Sequence, residues 1–182
     1  VTTEQSTEFV IGAARSGKSR YAAAQAAHLD DVTVIATALA GDDEMAERIA
    51  RHRAARPVDW QTVEEPHDLV GALRRQAAPE RFVIVDCLTM WLANLHGSGP
   101  DTATVSAELV RALPGLPGRI LLVSNEIGAG LVQTDAASRR FVDDLGRLNQ
   151  SVAAACERVT LMTAGIPLML KDASTGERGS TS

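Results

Sequence analysis

Three Phe, two Trp and one Tyr are the only aromatic residues in 182, so the core must rest on Val, Leu, Ile and Ala. Cysteine is nearly as scarce. Cys87 and Cys156 cannot build a disulfide scaffold and show no metal-type spacing. Both sit in apolar stretches, which predicts reduced core thiols in a cytoplasmic protein. Positive charge is not in excess: 18 Lys and Arg face 23 Asp and Glu, a net charge of −5. That excludes nucleic-acid binding by bulk attraction. No run is long and apolar enough to span a bilayer. The first eight residues are polar and lack a signal-peptide core. No two of the four histidines have metal-ligand spacing, so no structural metal is expected.

What is present is alternation. Strand-like apolar runs at Glu8–Gly12, Val32–Thr37, Trp60–Val63, Phe82–Asp86, Arg119–Ser124, Arg158–Thr163 and Ile166–Leu170 alternate with helical patterns. The helices fall near 18–28, 43–54, 67–77, 88–95, 102–112 and 135–156. The pattern predicts an α/β fold with a mainly parallel sheet and helices on both faces. Val83–Val85 and Ile120–Val123 are continuously apolar, as doubly covered strands should be. Only Ala164 and Gly165 separate the last two strands, which predicts an antiparallel hairpin at one edge, where Pro167 fits. Gly97–Pro100 and Pro114–Gly118 read as surface loops. Residues 1–171 suit one domain, and the Ser-, Thr- and Gly-rich stretch 172–182 suits a disordered tail.

The most informative segment follows the first strand. Gly12–Ser19 reads Gly-Ala-Ala-Arg-Ser-Gly-Lys-Ser, directly after Phe9, Val10 and Ile11. This is the G-x-x-x-x-G-K-S phosphate-binding pattern in its strand-loop-helix context. Backbone N–H groups of Gly12, Ala13, Ala14, Arg15, Ser16 and Gly17 would converge on an anion. Lys18 would reach the β- and γ-phosphates, and the Ser19 hydroxyl would hold Mg²⁺. Asp86 closes the apolar strand Phe82–Asp86. It is either an ordinary strand-end acid or, beside such a loop, the magnesium-side carboxylate.

The segment 42–53 has acids at its start and bases at its end, as a helix dipole favours. Glu44 with Arg48 and Glu47 with Arg51 have the favourable i,i+4 order. Met45, Ile49 and His52 share one face, so His52 could simply complete a core stripe. Alternatively, Arg48, Arg51, Arg53 and Arg56 crowd the imidazole with like charge, which favours its uncharged, nucleophilic form. The same arginines could hold a triphosphate. Ser124–Leu131 offers polar groups and glycines after a buried strand, where α/β proteins build sites, or is a plain turn. Asn149 and Gln150 read as helix surface. His28, His67 and His96 stand at helix ends or breaks and carry no clear chemistry.

In combination these motifs resemble the bifunctional adenosylcobinamide kinase/adenosylcobinamide-phosphate guanylyltransferase family. The resemblance rests on Gly12–Ser19, Ile35–Thr37, Asp42–Met45, Arg48–Ile49, His52–Arg53, Arg56–Pro57, Trp60, Glu64, Asp86–Thr89, Val123–Gly128, Asn149–Gln150 and Ala164–Pro167, spread over Phe9 to Lys171. Ala13 stands where the family usually has a second Gly, Arg51 where some members have a histidine, and Gln133 where Pro is common.

The resemblance implies a RecA-like P-loop fold assembled as a homotrimer. It implies ATP and GTP as substrates, with Mg²⁺, and adenosylcobinamide as the acceptor. Ala36, Thr37 and Ala38 would line the nucleotide site. His52 would become GMP-linked, with Arg53, Ala54, Ala55, Arg56 and Glu64 as further GTP contacts. Catalysis would fall to His52 and Lys18, and the metal to Ser19 and Asp86. The rivals are a monofunctional P-loop kinase, a nucleotide-regulated interaction module and a DNA-dependent motor. Charge and length count against the last.

Overall fold

The computed structural model describes residues 5–98, 101–128 and 134–173. The expectations for residues 99–100, for 129–133 (Gln133 included) and for 174–182 of the tail lie outside these. Asp172, where the tail was expected to begin, instead ends the last strand, and the Ala173 N–H donates to the Glu157 carbonyl at 3.0 Å. Seven strands form one sheet in the order β3-β2-β4-β5-β1-β6-β7. They are β1 (Ser6–Gly12), β2 (Val32–Ala36), β3 (Gln61–Glu64), β4 (Phe82–Asp86), β5 (Arg119–Asn125), β6 (Arg158–Thr163) and β7 (Ile166–Asp172). All pairings are parallel except β6 with β7, which form the expected hairpin at one edge. The helices are α1 (Lys18–Ala26), α2 (Asp43–Ala54), α3 (Leu69–Gln76), α4 (Leu88–Ser98), α5 (Thr102–Ala112) and α6 (Ala136–Ala155).

Strand side chains alternate between two apolar layers. Phe9, Ile35, Val83, Val85, Ile120 and Leu122 face the larger layer, which is completed from α3, α4, α5 and α6. Val10, Val32, Val34, Ile84, Leu121 and Val123 face the smaller layer, where α1 supplies Ala22 and Ala26. The two faces are therefore unequally covered. Helix α2 contributes no buried residue to either.

Several boundaries differ from expectation for local reasons. Helix α1 stops at Ala26, leaving His28 exposed beyond it. Helix α3 starts at Leu69 rather than 67, because Asp68 accepts the Gly71 N–H as its cap and Glu65 binds the N–H groups of His67 and Asp68. Helix α4 runs through Gly97 to Ser98, so the expected break there falls inside its last turn. The stretch after α5 is no plain surface loop: Leu113–Gly115 form a 3-10 turn, with Leu113 and Leu116 buried. Cys156 is sealed in the core, and burial pushes its thiol up to about 12. Cys87 departs from expectation; it is only half-buried, next to the cis Asp86–Cys87 peptide. No helix of the described residues is long and apolar enough to cross a membrane.

Trp91 on α4 is fully buried, and its indole N–H donates to the His67 carbonyl at 2.8 Å. Trp91→Phe leaves a cavity and an unpaired carbonyl, and should cost about 2–3 kcal/mol. Urea unfolding measures it; a loss under about 0.5 kcal/mol would mean that the indole is dispensable.

Candidate active site

Strand β1 lies between β5 and β6, so the loop after it leaves from the interior of the sheet at the strands' carboxyl ends. A Cβ on Gly12 would collide with the Met162 carbonyl and lie 2.7 Å from Ser16 Oγ. Only glycine fits this root. Arg15 (φ 60°) and Gly17 (φ 100°) both take left-handed backbone. Such alternation turns successive N–H groups toward a common centre. No side chain caps α1, and no acid sits in its first turn, so its N-terminal donors are free for an anion. Ser16 Oγ is buried with no hydrogen-bond partner among the described residues. A phosphate oxygen would satisfy it, so the loop fits the group that its sequence implies.

Lys18 Nζ donates to the Gly12 and Ala13 carbonyls, each at 2.8 Å. Burial pulls the Lys18 pKa below its ordinary value. Cys87 and Asp86 oppose that pull, and the Arg48 guanidinium adds to it. The influence of Arg48 places α2 within electrostatic reach of the loop. Ser19 is exposed on the first turn of α1.

Asp86 ends β4, in register with Ala36 of β2. Its Oδ2 lies 3.5 Å from Arg56 Nη2, and Arg56 Nη1 donates to Thr62 Oγ1 at 3.3 Å. Thr37 is fully buried. Its hydroxyl donates to the Cys87 carbonyl at 2.7 Å and accepts the Cys87 N–H at 3.0 Å. This residue fixes the backbone beside Asp86, and its hydroxyl is spent there. Ala36 and Ala38 are half-buried next to it.

Asp42 caps α2 by accepting the Met45 N–H at 2.7 Å. The carboxylate contacts Glu44–Arg48 and Glu47–Arg51 are not made among the described residues; Arg51 Nε donates instead to the Glu47 carbonyl. His52 is exposed and completes no core stripe. It opens onto a cleft of ≈ 350 Å³ that also holds Ser19, Arg20, Arg56, Trp60 and Asp86. Ala55 lines the same cleft. Arg53 and Glu64 do not; they pair with each other at 3.0 Å, both largely exposed, at the outer edge by β3. Ala13, Ala14 and Arg15 are exposed on the loop, and Ala54 at the end of α2. A hollow of similar size between α5 and α6 contains none of the expected site residues.

The polar groups that end β5 make hydrogen bonds within the fold. Ser124 donates to Asn149 Oδ1 at 2.8 Å, Asn149 Nδ2 donates to the Asn125 carbonyl at 3.2 Å, and Thr89 Oγ1 accepts the Asn125 N–H at 2.8 Å. Asn149 is thus buried rather than on the helix surface; Gln150 is exposed. Ala129, Gly130 and Leu131 lie outside the described residues. Arg20 and Trp60 are cleft residues to which sequence assigned no role. Arg20 directly follows Ser19, and that adjacency was the available signal. No group of three His, Cys, Asp or Glu among the described residues could hold a metal ion by itself.

A phosphate loop between β1 and α1, an acid ending β4 and a mainly parallel sheet with an antiparallel edge hairpin define a RecA-like P-loop nucleotide-binding protein. Sequence comparison narrows the class. The chain belongs to the cobinamide kinase / cobinamide phosphate guanyltransferase family, whose model matches residues 8–170. It is 50% identical over 167 residues to the bifunctional adenosylcobalamin biosynthesis protein CobP of Pseudomonas aeruginosa, covering 90% of this chain and 96% of that protein. It is 37% identical over 178 residues to the bifunctional adenosylcobalamin biosynthesis protein CobU of Escherichia coli, covering 90% and 98%. Among solved structures, the flagellar accessory protein FlaH of Methanocaldococcus jannaschii aligns with a TM-score of 0.53 at 12% identity, over 95% of this chain and 81% of that one. That likeness is one of fold alone. The family's two activities place the chain among transferases of cobalamin biosynthesis, and neither the single-activity kinase nor the non-catalytic module is favoured.

The lowered pKa of Lys18 makes stability depend on pH. Between its folded value and 10.5 the unfolded chain still holds a proton that the folded protein has released, so stability rises with pH through that window. Lys18→Met removes this rise. Urea unfolding of both proteins from neutrality to pH 10.5 should show the wild type gaining on the variant; a constant difference would contradict the buried ammonium.

Proposed function

We propose that this chain phosphorylates adenosylcobinamide with ATP or GTP and then guanylylates the product, using one nucleotide site for both steps. The observation that carries this is that His52 shares a cleft with Ser19 and Asp86. Residues 1–171 act as one catalytic unit.

In the first step the aminopropanol hydroxyl of adenosylcobinamide attacks the γ-phosphorus. The new O–P bond forms as the bond to the nucleoside diphosphate breaks. Lys18 leaves the Gly12 and Ala13 carbonyls for the phosphates, and the loop N–H groups hold the developing charge. Ser19 and Asp86 present hard oxygen donors on one cleft, a set that suits Mg²⁺, which when bound neutralises phosphate charge. For Asp86 to serve there, its contact with Arg56 must open, and the freed guanidinium turns to the triphosphate.

In the second step an imidazole nitrogen of His52 attacks the α-phosphorus of GTP, and pyrophosphate leaves. The phosphate oxygen of the phosphorylated corrinoid then takes the GMP group, the P–N bond breaks, and His52 is restored. The imidazole makes no hydrogen bond or ion pair among the described residues, so nothing must be broken to free it. Arg53 and Glu64 contact GTP only if their own ion pair opens. Ala36, Ala38, Ala54 and Ala55 supply small side chains that let a nucleotide approach.

A cytoplasmic homotrimer is the assembly that the family resemblance implies. Strand β7 supports the oligomer with an edge, unpaired among the described residues, that exposes Ile166, Leu168, Met169 and Leu170.

His52→Ala should lower GMP transfer by at least about 10³-fold while phosphorylation stays within about threefold of wild type. Lys18→Ala should depress both by about 10²-fold or more. Separate assays of each step decide; equal loss of both activities in His52→Ala would make the histidine structural and overturn the shared-site mechanism.

A further inference from the structure

The hairpin turn Ala164–Gly165 stood out in the sequence, yet the two reactions give it no task. In the structure it leans on the phosphate loop. The Gly165 N–H donates to the Ser16 carbonyl at 3.0 Å. Arg20 Nη2 lies 3.4 Å from the Gly165 carbonyl. A Cβ on Gly17 would stand 3.2 Å from Gly165 Cα. The hairpin's other strand presses the Met162 carbonyl against Gly12. Root, crest and helix end of the loop are thus all touched by one hairpin, 145 residues away along the chain.

The Ser16 contact has a specific consequence. In a planar trans peptide the C=O and N–H point in opposite directions. Anchoring the Ser16 carbonyl on the hairpin therefore aims the N–H of the same peptide, that of Gly17, away from the hairpin. This N–H has no hydrogen-bond partner among the described residues. It remains available to an anion seated over the loop.

The turn is held in a form that local preference would not choose. Ala164 sits at φ 51° and Gly165 at φ 81°. Two-residue hairpin turns of this kind favour Asn or Gly at the first position, and alanine enters left-handed backbone only at a cost. Gly165 favours glycine through its left-handed backbone, and a Cβ there would lie 2.7 Å from Arg20 Nη2, so that side chain would have to swing aside. Such a conformation persists where the surroundings over-determine it.

We infer that Gly165 is a positioning residue for nucleotide binding: its N–H holds the Ser16–Gly17 peptide in the orientation that offers the Gly17 N–H to a polyphosphate. The inference rests on the nucleotide reading of the loop but not on the role of His52. It acts on the phosphates, so it is indifferent to the base and to which of the two reactions follows.

The test uses the full chain with two probes, a non-hydrolysable GTP analogue and inorganic tripolyphosphate, titrated by calorimetry. Gly165→Pro, which removes the donor N–H, should weaken both by the same factor, about tenfold, as expected for loss of one charge-assisted contact. A folded Gly165→Pro that binds both as the wild type does would overturn the role of Gly165 while leaving the nucleotide reading intact. So would weakening confined to the GTP analogue. A wild type that binds neither probe would overturn the nucleotide reading and this inference together. Amide hydrogen exchange on the wild type keeps the test independent of the variant's folding. Exchange at Gly165 should be slow and should slow further with tripolyphosphate; a rate that tripolyphosphate does not change would count against the strut.

Discussion

The Gly12 carbonyl accepts both the Lys18 ammonium at 2.8 Å and the Glu126 N–H at 3.1 Å, while its α-carbon is pressed against the Met162 carbonyl. One residue without a side chain thus joins β1 to both neighbouring strands and to the first helix. The loop that follows inherits its position from that junction. With its root fixed, the left-handed turns at Arg15 and Gly17 can gather N–H groups in one place without collapsing onto the sheet. The buried, unpartnered Ser16 hydroxyl and the uncapped start of α1 are the cost of keeping those donors unspent.

The unequal covering of the sheet explains where the rest of the chemistry stands. Four helices build the large apolar layer, and it accounts for most of the buried side chains. The other face has α1 and little else, so a cleft remains beside it. Helix α2 borders that cleft without contributing to the core. A helix held by an end cap and one exposed ion pair, rather than by packing, presents its last turn to solvent and to ligand together. His52 owes its accessibility to this. The same economy leaves Asp86 partnered by Arg56, a contact of two partly buried charges that a bound metal and triphosphate would reorganise.

Much of this was legible in the residues. The phosphate loop announces itself because glycine, lysine and serine are each needed at a fixed place for a stated reason. The bounds of α2 followed from the charge gradient along the segment, and the structure adds Asp42 as its cap. The continuous apolar runs gave β4 and β5 as inner strands, and the two-residue spacer gave the edge hairpin. What escaped were matters of tertiary direction. Met45, Ile49 and His52 do share a face, but periodicity cannot say whether that face meets the core or a cleft. Asn149 read as surface because an amide gives no hint of a buried partner such as Ser124. Cys87 lay in an apolar stretch, yet strand end and helix start bring it to the rim of the site. The pairing of Arg56 with Asp86 spans 30 residues and leaves no local trace.

The central claim is that a polyphosphate held by the loop and the His52 imidazole meet in one cleft. Intact-mass measurement after incubation with GTP and Mg²⁺, followed by peptide mapping under alkaline conditions, tests it most directly. The account predicts a protein carrying one GMP, located on His52 and removed by acid. A protein that turns over GTP yet never carries GMP, or carries it on another residue, would contradict it.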